Sequence, residues 1–236
     1  MNIFSVRLGI NNAYLVCGQS GCVLVDAGNA GRERKFQGCI DKIGIKPEDI
    51  KLIVVTHVHY DHVGSLRAIK QICGCPVAVH GAESSLLQNG EVTPPPGTNA
   101  IAAGISRIGG YLSRRFAFAP VKPDILLAGE FSLEPFGLSG SIIHTPGHTI
   151  GSCSVLLPGG EALVGDLAFN YLPLGLGPVY PPFAWDVPEL LRSWQKIIDS
   201  GATVIYPGHG PPFPAHRLKR ALNRALKIKA EDKKHC

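Results

Sequence analysis

The sequence predicts one domain of mixed α and β structure, and three observations carry that expectation. Short β-branched or alternating apolar runs recur along the chain, each closed by Gly, Pro, Asn or Asp. Between several of them lie stretches with apolar residues at helical spacing. The chain has 236 residues, 45% hydrophobic and 17% charged. It is long enough to bury a core without disulfide staples and too apolar to be disordered. No linker marks a boundary, so 1–236 reads as a single domain.

The elements follow in order. Strands are predicted at Asn2–Leu8 and Ala13–Cys17, around a Gly-Ile-Asn-Asn turn, and at Cys22–Val25, which ends in Asp26-Ala27-Gly28. Gly31–Ile43 reads as helix, closed by Gly44 and Pro47. Lys51–Val55 is a compact β-branched run, predicted as a buried strand, and runs straight into His57-Val-His-Tyr-Asp-His62. Val63, Leu66, Ile69 and Ile72 then mark a helix, and Pro76–Val79 a strand. From 89 to 123 the pattern changes. Pro94-Pro95-Pro96-Gly97 breaks the chain. Ile101, Ile105, Ile108, Leu112 and Phe116 mark one face of a helix weakened by Gly104, Gly109 and Gly110. This insertion is expected to act as a lid or as the surface of a homodimer. Strands follow near Ile125–Leu127, Phe131–Glu134, Ser141–His144, Ser152–Leu157 and Ala162–Val164. Tyr171–Trp185 is a loop rich in Pro, Gly and aromatics. A helix at Val187–Ile198 and a strand at Thr203–Tyr206 lead to Pro207-Gly-His209-Gly, and a basic helix occupies 215–236.

The net charge is +5. Eight of the 23 Lys and Arg residues and two of the 18 acids fall in 215–236, so the rest of the chain carries one more acid than base. The basic tail reads as the solvated face of a helix rather than a nucleic-acid surface. No run approaches the ~20 apolar residues of a membrane span. The seven cysteines have no framework spacing, and Cys73-Gly-Cys75 reads as a small-residue turn rather than a metal clip. With no secretion-type leader at the N-terminus, the expected setting is the reducing cytoplasm.

Five histidines (His57, His59, His62, His148 and His209) and two aspartates (Asp61 and Asp166) lie beside small residues where strands are predicted to end. Imidazole and carboxylate are the ligand set for zinc, manganese or iron. Residues two apart on extended backbone point the same way, so His57 and His59 can bind one ion together. Asp61 and His62 fall where the chain turns into helix and can aim at a second. Thr145-Pro-Gly-His148, Gly165-Asp166 and Pro207-Gly-His209 each follow a strand with a tight turn. One His in a turn would carry no weight. Seven ligand-type residues at strand junctions are hard to explain as packing, because a buried carboxylate without a partner is costly.

These motifs, with Asp26-Ala-Gly28 before them, stand in the order found in the metallo-β-lactamase superfamily, which the chain resembles from Asp26 to His209. The resemblance implies a four-layer αββα sandwich of two mixed sheets flanked by helices, with metals at one edge of the sheets. It implies that His57, His59 and His148 hold a first divalent ion, that Asp61, His62 and His209 hold a second, and that Asp166 bridges them. Zinc is foremost, with iron or manganese fitting the same ligands. Asp26 would steady the ligand loops from behind. The implied chemistry is hydrolysis, in which hydroxide held between two cations attacks an electrophilic centre while Asp61 carries the proton.

Substrate specificity is less legible. Gly165-Asp166-Leu-Ala-Phe169 is similar to the glyoxalase II branch, but Gly-Pro-Pro-Phe follows His209 where that branch has Tyr, and only 27 residues remain. The ligand set and size also resemble the acyl-homoserine-lactone lactonases, with Phe169 in place of a Tyr and Tyr171 two residues on. Tyr60 offers another hydroxyl beside the ligands, and Arg107 could grip a substrate carboxylate. The apolar segments expected over the site suit an ester, thioester or lactone of a small, partly apolar metabolite. They do not suit the phosphates that a nuclease or phosphodiesterase member must follow. The remaining alternative is the persulfide dioxygenase branch, with the same fold, one iron and oxygen chemistry.

Overall fold

The computed structural model describes residues 1–111, 117–170 and 179–232. Two six-stranded sheets are each built from strands consecutive in sequence. The first holds β1 (Asn2–Arg7), β2 (Asn12–Cys17), β3 (Cys22–Val25), β4 (Ile50–Val54), β5 (Val77–His80) and β6 (Ile125–Leu127), in that spatial order. The second holds β7 (Phe131–Ser132), β8 (Ser141–His144), β9 (Cys153–Leu156), β10 (Glu161–Phe169), β11 (Val204–His209) and β12 (Phe213–Pro214), again in sequence order. Both sheets are mixed: β3 to β6 run parallel, as do β10 and β11, while the other pairs are antiparallel.

Side chains alternate across each strand, and here both faces are apolar. On β2, β3 and β4, Leu15, Leu24 and Ile53 face outward and are covered by α1 (Glu33–Lys42) and α3 (Leu66–Cys73), through Phe36, Ile40, Leu66 and Ile69. Their neighbours Val16, Val23 and Val54 face inward and meet Ile142, Val155 and Leu163 of the second sheet. The outer face of that sheet, with Ala162, Val164 and Ile205, is covered by Leu190, Trp194 and Ile197 of α6 (Val187–Asp199). Leu218 and Leu222 of α7 (Ala215–Asp232) complete that cover. Three apolar layers thus separate four structural layers, the expected αββα sandwich. The cations of α7 from Arg217 to Lys227 lie away from its buried apolar stripe, as a solvated helix face requires.

Several expectations are corrected. The helix after His59 is two pieces, α2 (Tyr60–Val63) and α3, and Gly64 between them packs against the Asn29–Ala30 backbone too closely for any side chain. A short helix, α4 (Ser84–Asn89), precedes the insertion, and α5 (Ala100–Tyr111) carries the first part of the predicted apolar face, Leu112 and Phe116 lying outside the described residues. Ile101 on that face is exposed, whereas its neighbour Ala102 is buried. β10 continues five residues past Val164, and β11 continues to His209. Asp166 and His209 therefore sit in irregular strand ends rather than in loops. Register shifts on either side of Gly165 keep the pairing going where Gly-Asp reads as a turn. Cys17 and Cys22 are register partners across the β2–β3 turn and form a disulfide. Strand register, not framework spacing, sets this local pair. Gly74 closes α3 in the left-handed conformation between Cys73 and Cys75, consistent with the turn reading. No described helix is long and apolar enough to cross a membrane.

Candidate metal centre

The centre forms where strands of both sheets end. β4 leads into His57, His59 and the short helix bearing Asp61 and His62. β8 leads to His148, β10 carries Asp166 and β11 ends on His209. All seven side chains are buried and come together. His57, His59, His148 and Asp166 form one group and Asp61, His62 and His209 another, the ligand atoms within each lying no more than 4.8 Å apart.

The backbone is shaped to allow this. A Cβ at Gly208 would lie 2.4 Å from Asp166 Oδ1 and 2.8 Å from His62 Cε1, so only glycine leaves room for the group. Asp26 adopts φ 63°, a strained conformation for a residue with a side chain. That strain aims its carboxylate at the ligand loops. It accepts from Thr56 N–H (2.9 Å), from Thr56 Oγ1 (2.9 Å) and from His62 Nδ1 (2.7 Å).

The ring tautomers follow from these partners. His62 Nδ1–H donates to Asp26. His148 Nδ1–H donates to the Phe183 carbonyl at 2.9 Å, and His209 Nδ1–H to the Ile10 carbonyl at 3.2 Å. The single hydroxyl proton of Thr56 is given to Asp26, so its oxygen accepts from His57 Nδ1 at 3.1 Å. With Nδ1 engaged in all four rings, Nε2 is the atom turned inward, where a cation can take the place of any proton it carries. His57 Nε2 and His148 Nε2 lie 2.9 and 3.2 Å from His59 Nδ1. One proton can serve only one pair of these three nitrogens, whereas a cation serves all three.

Asp166 stands between the groups. Its Oδ2 is 3.9 Å from His57 Nε2, 3.6 Å from His148 Nε2 and 3.5 Å from His209 Nε2, and its Oδ1 is 3.2 Å from His62 Nε2. Asp61 Oδ2 is 3.2 Å from His209 Nε2. Although close, His62 Nε2 and Asp166 Oδ1 are buried without a hydrogen bond. Such orphaned atoms are costly unless something else coordinates them, and the donor set fits two divalent cations.

Electrostatics divides the cluster. Burial, reinforced by neighbouring imidazoles, pushes His57 well below the usual histidine range and His59 down to about 3. Burial also lowers His148. Burial opposes protonation of His62 and His209 too, but the carboxylates, Asp166 foremost, outweigh it. His62 is raised well above its ordinary value and His209 up to about 10. Against burial, His62 and His209 hold Asp61 low, and His209 and His62 hold Asp166 well below the carboxylate range. That end of the centre demands positive charge, as protons or as a cation.

A cavity of about 250 Å³ opens over the cluster, with His59, Asp61, His148, Asp166 and His209 in its floor. Val92, Pro94 and Pro95 from the insertion, with Phe169 and Phe183, give it apolar walls. The insertion is tied to the second roof segment by Thr98 N–H to the Pro182 carbonyl (2.8 Å) and Ala184 N–H to the Pro96 carbonyl (3.1 Å). Phe169 stacks on the His209 ring at 4.8 Å, and Tyr60 lines the wall with its phenol pK raised by burial and by Asp61 and Asp166. The Arg107 side chain and the whole of Tyr171 lie outside the described residues.

Three contributors carry no spacing signal. Glu83 is buried, and its carboxylate accepts from Val58 N–H (2.9 Å), between two ligand histidines, and from Gly151 N–H (3.1 Å), just after His148. From β2, the Tyr14 hydroxyl donates to the Pro207 carbonyl (2.8 Å) and Asn12 Nδ2 to the Gly210 carbonyl (2.7 Å), bracing the His209 turn.

Comparison with known proteins agrees with this geometry. A family model described as the metallo-beta-lactamase superfamily matches residues 6–209. A probable metallo-hydrolase of Methanocaldococcus jannaschii is 32% identical over 85% of this chain and 87% of its own. An acyl-coenzyme A thioesterase of Gallus gallus is 28% identical over 91% of this chain and 78% of its own. Among solved structures, a protein crystallised in a di-iron-bound form superposes with a TM-score of 0.66 at 27% identity, covering 92% of this chain and 97% of that one.

Proposed function

The chain belongs to the metallo-β-lactamase superfamily of metallo-hydrolases, and from that premise we propose that it hydrolyses a carboxylic ester or thioester of a small, partly apolar metabolite at a dinuclear centre. The observation that carries this reading is the convergence of seven buried ligand side chains beneath an apolar cavity. His57, His59 and His148 would hold one ion, Asp61, His62 and His209 the other, and Asp166 both. Zinc is the proposed metal, and the same donors accept iron or manganese. Bound there, two cations would supply Lewis acidity, lowering the pKa of a water from about 16 to about 7 and polarising the attacked carbonyl.

The chain's own residues do the rest. Asp61 reaches the cavity floor with a carboxylate held ionised, so Oδ2 takes a proton from water and passes it to the leaving group. Tyr60 keeps its phenol proton and can donate it in a hydrogen bond to the substrate carbonyl. Val92, Pro95 and Phe183 exclude water and hold the apolar acyl part. The likeness to a thioesterase favours the thioester end of the range. An apolar wall gives nucleic-acid phosphates nothing to follow, which disfavours a nuclease.

The test is metal analysis of the purified chain beside a substrate panel of thioesters, lactones, phosphodiesters and persulfides. Two divalent ions per chain and thioester or ester turnover without oxygen uptake are expected. One iron per chain with oxygen consumed on a persulfide would replace the hydrolytic reading with oxygen chemistry.

A further inference from the structure

The cavity over the ligand cluster shares a wall with another. On the far side of Ile10 and Tyr60 lies a cavity of about 610 Å³, whose wall adds Asn29, Arg32 and Lys35. Among the described residues the two cations are its only charged lining residues. Neither head group has a carboxylate partner among the described residues. Unpaired cations in a concave wall draw anions.

These cations stand on a braced platform. Arg32 N–H donates to Ser65 Oγ at 2.9 Å, and that hydroxyl donates to the Asn29 carbonyl at 2.5 Å. A Cβ on Gly64 would lie 2.2 Å from Ala30 N, so the loop beneath Arg32 is seated directly on the turn that follows His62. Asn29 Oδ1 accepts from Ile10 N–H at 3.0 Å, and the Ile10 carbonyl accepts from His209 Nδ1. A continuous run of hydrogen bonds therefore links the cation-bearing loop to a ligand histidine through the residue that divides the two cavities. The opposite flank has the other sign. There a cavity of about 420 Å³ meets the site at His59 and carries Asp186 and Glu189 beside Leu86, Ile150 and Trp185.

We propose that the Arg32–Lys35 cavity is an anion subsite. It receives a carboxylate or phosphate carried by the substrate away from the bond that is cleaved, while the apolar part crosses Ile10 and Tyr60 into the cavity over the metals. This rests on the ester or thioester reading above and narrows it to anionic substrates. Arg and Lys head groups make charge-assisted contacts with either anion.

The test uses the metal-loaded full chain and matched thioesters of one acyl group, with a neutral, a carboxylate-terminated or a phosphate-terminated thiol. Wild type is compared with Arg32→Ser/Lys35→Ser. Both side chains are exposed, and the Arg32 bond to Ser65 comes from its backbone, so the fold does not depend on them. The double substitution is expected to lower the anionic-to-neutral ratio of kcat/KM about tenfold through KM, and high salt to lower it in wild type. The anion that loses more is the one the subsite prefers. Equal ratios in the two proteins overturn the subsite. If no thioester turns over, calorimetry with the corresponding thioethers still decides. Weaker binding of the anionic thioethers to the double variant supports the subsite while the hydrolytic reading falls. Equal binding overturns it.

Discussion

His57, His59 and His148 meet edge to edge, with ring centres 4.4 to 4.9 Å apart, and burial among other imidazoles keeps all three neutral. His62 lies only 4.1 Å from His57, yet with His209 it faces Asp26, Asp61 and Asp166 and is driven to take up a proton. The same residue type is thus tuned in opposite directions within one cluster. The difference shows what each half asks of a cation. The three histidines are shifted below their ordinary range, so an ion meets little competition from protons there. The aspartate-rich half already holds positive charge, and an ion must displace it.

Asp166 belongs to both halves, and its loss should have the largest effect. Asp166→Ala removes the carboxylate that faces four imidazoles. Residues behind the ligands typically cost 10- to 100-fold in affinity when removed, so a group shared by both halves should cost more than about 100-fold at each. Chelator competition on the variant checks this. If one half keeps its affinity, Asp166 does not bridge.

The second effect separates the halves by pH. With His209 raised up to about 10, its proton is bound across the neutral range and is displaced when an ion enters. Affinity there should fall as pH falls, about tenfold per unit for each proton displaced, or about a hundredfold between pH 8 and pH 6 for one proton. His57, His59 and His148 are shifted down, so the three-His half should hold its affinity over the same range. Metal titrations at the two pH values measure both. Parallel losses would mean that the halves are not tuned apart.

The candidate ligand cluster was legible because it is made of rare residue types at strand ends, with His57-x-His-x-Asp-His62 packed into six positions. The layers were legible from strand runs apolar on both faces, such as Lys51–Val55. Other features depend on tertiary closeness that leaves no local trace. The ends of β10 and β11 read as turns because Gly165 and Gly208 are there for space, not for chain reversal. The anion cavity draws Ile10, Asn29, Arg32 and Tyr60 from separate loops, each unremarkable by itself. Glu83 is an isolated acid just ahead of a short helix, and nothing nearby in the sequence announces that both its oxygens are buried.

Glu83 also gives the smallest and most selective way to sharpen the contrast. Its carboxylate joins the His57–His59 segment, from the first sheet, to the turn after His148, from the second. All three histidines that it braces belong to the neutral half. Glu83→Gln keeps the shape but turns one acceptor oxygen into an amide NH₂, which faces a backbone N–H and cannot accept from it. One of the two bridging bonds is lost, and the two ligand loops are free to drift apart. Affinity for an ion at the three-His half should fall about tenfold, at the low end of what such supporting groups contribute. His62 and His209 take their bracing from Asp26 and the Ile10 carbonyl, so the other half should be unmoved. Two-site chelator titration of the variant reads both constants at once. A loss shared equally by the halves would mean that Glu83 holds up the whole site rather than one side of it.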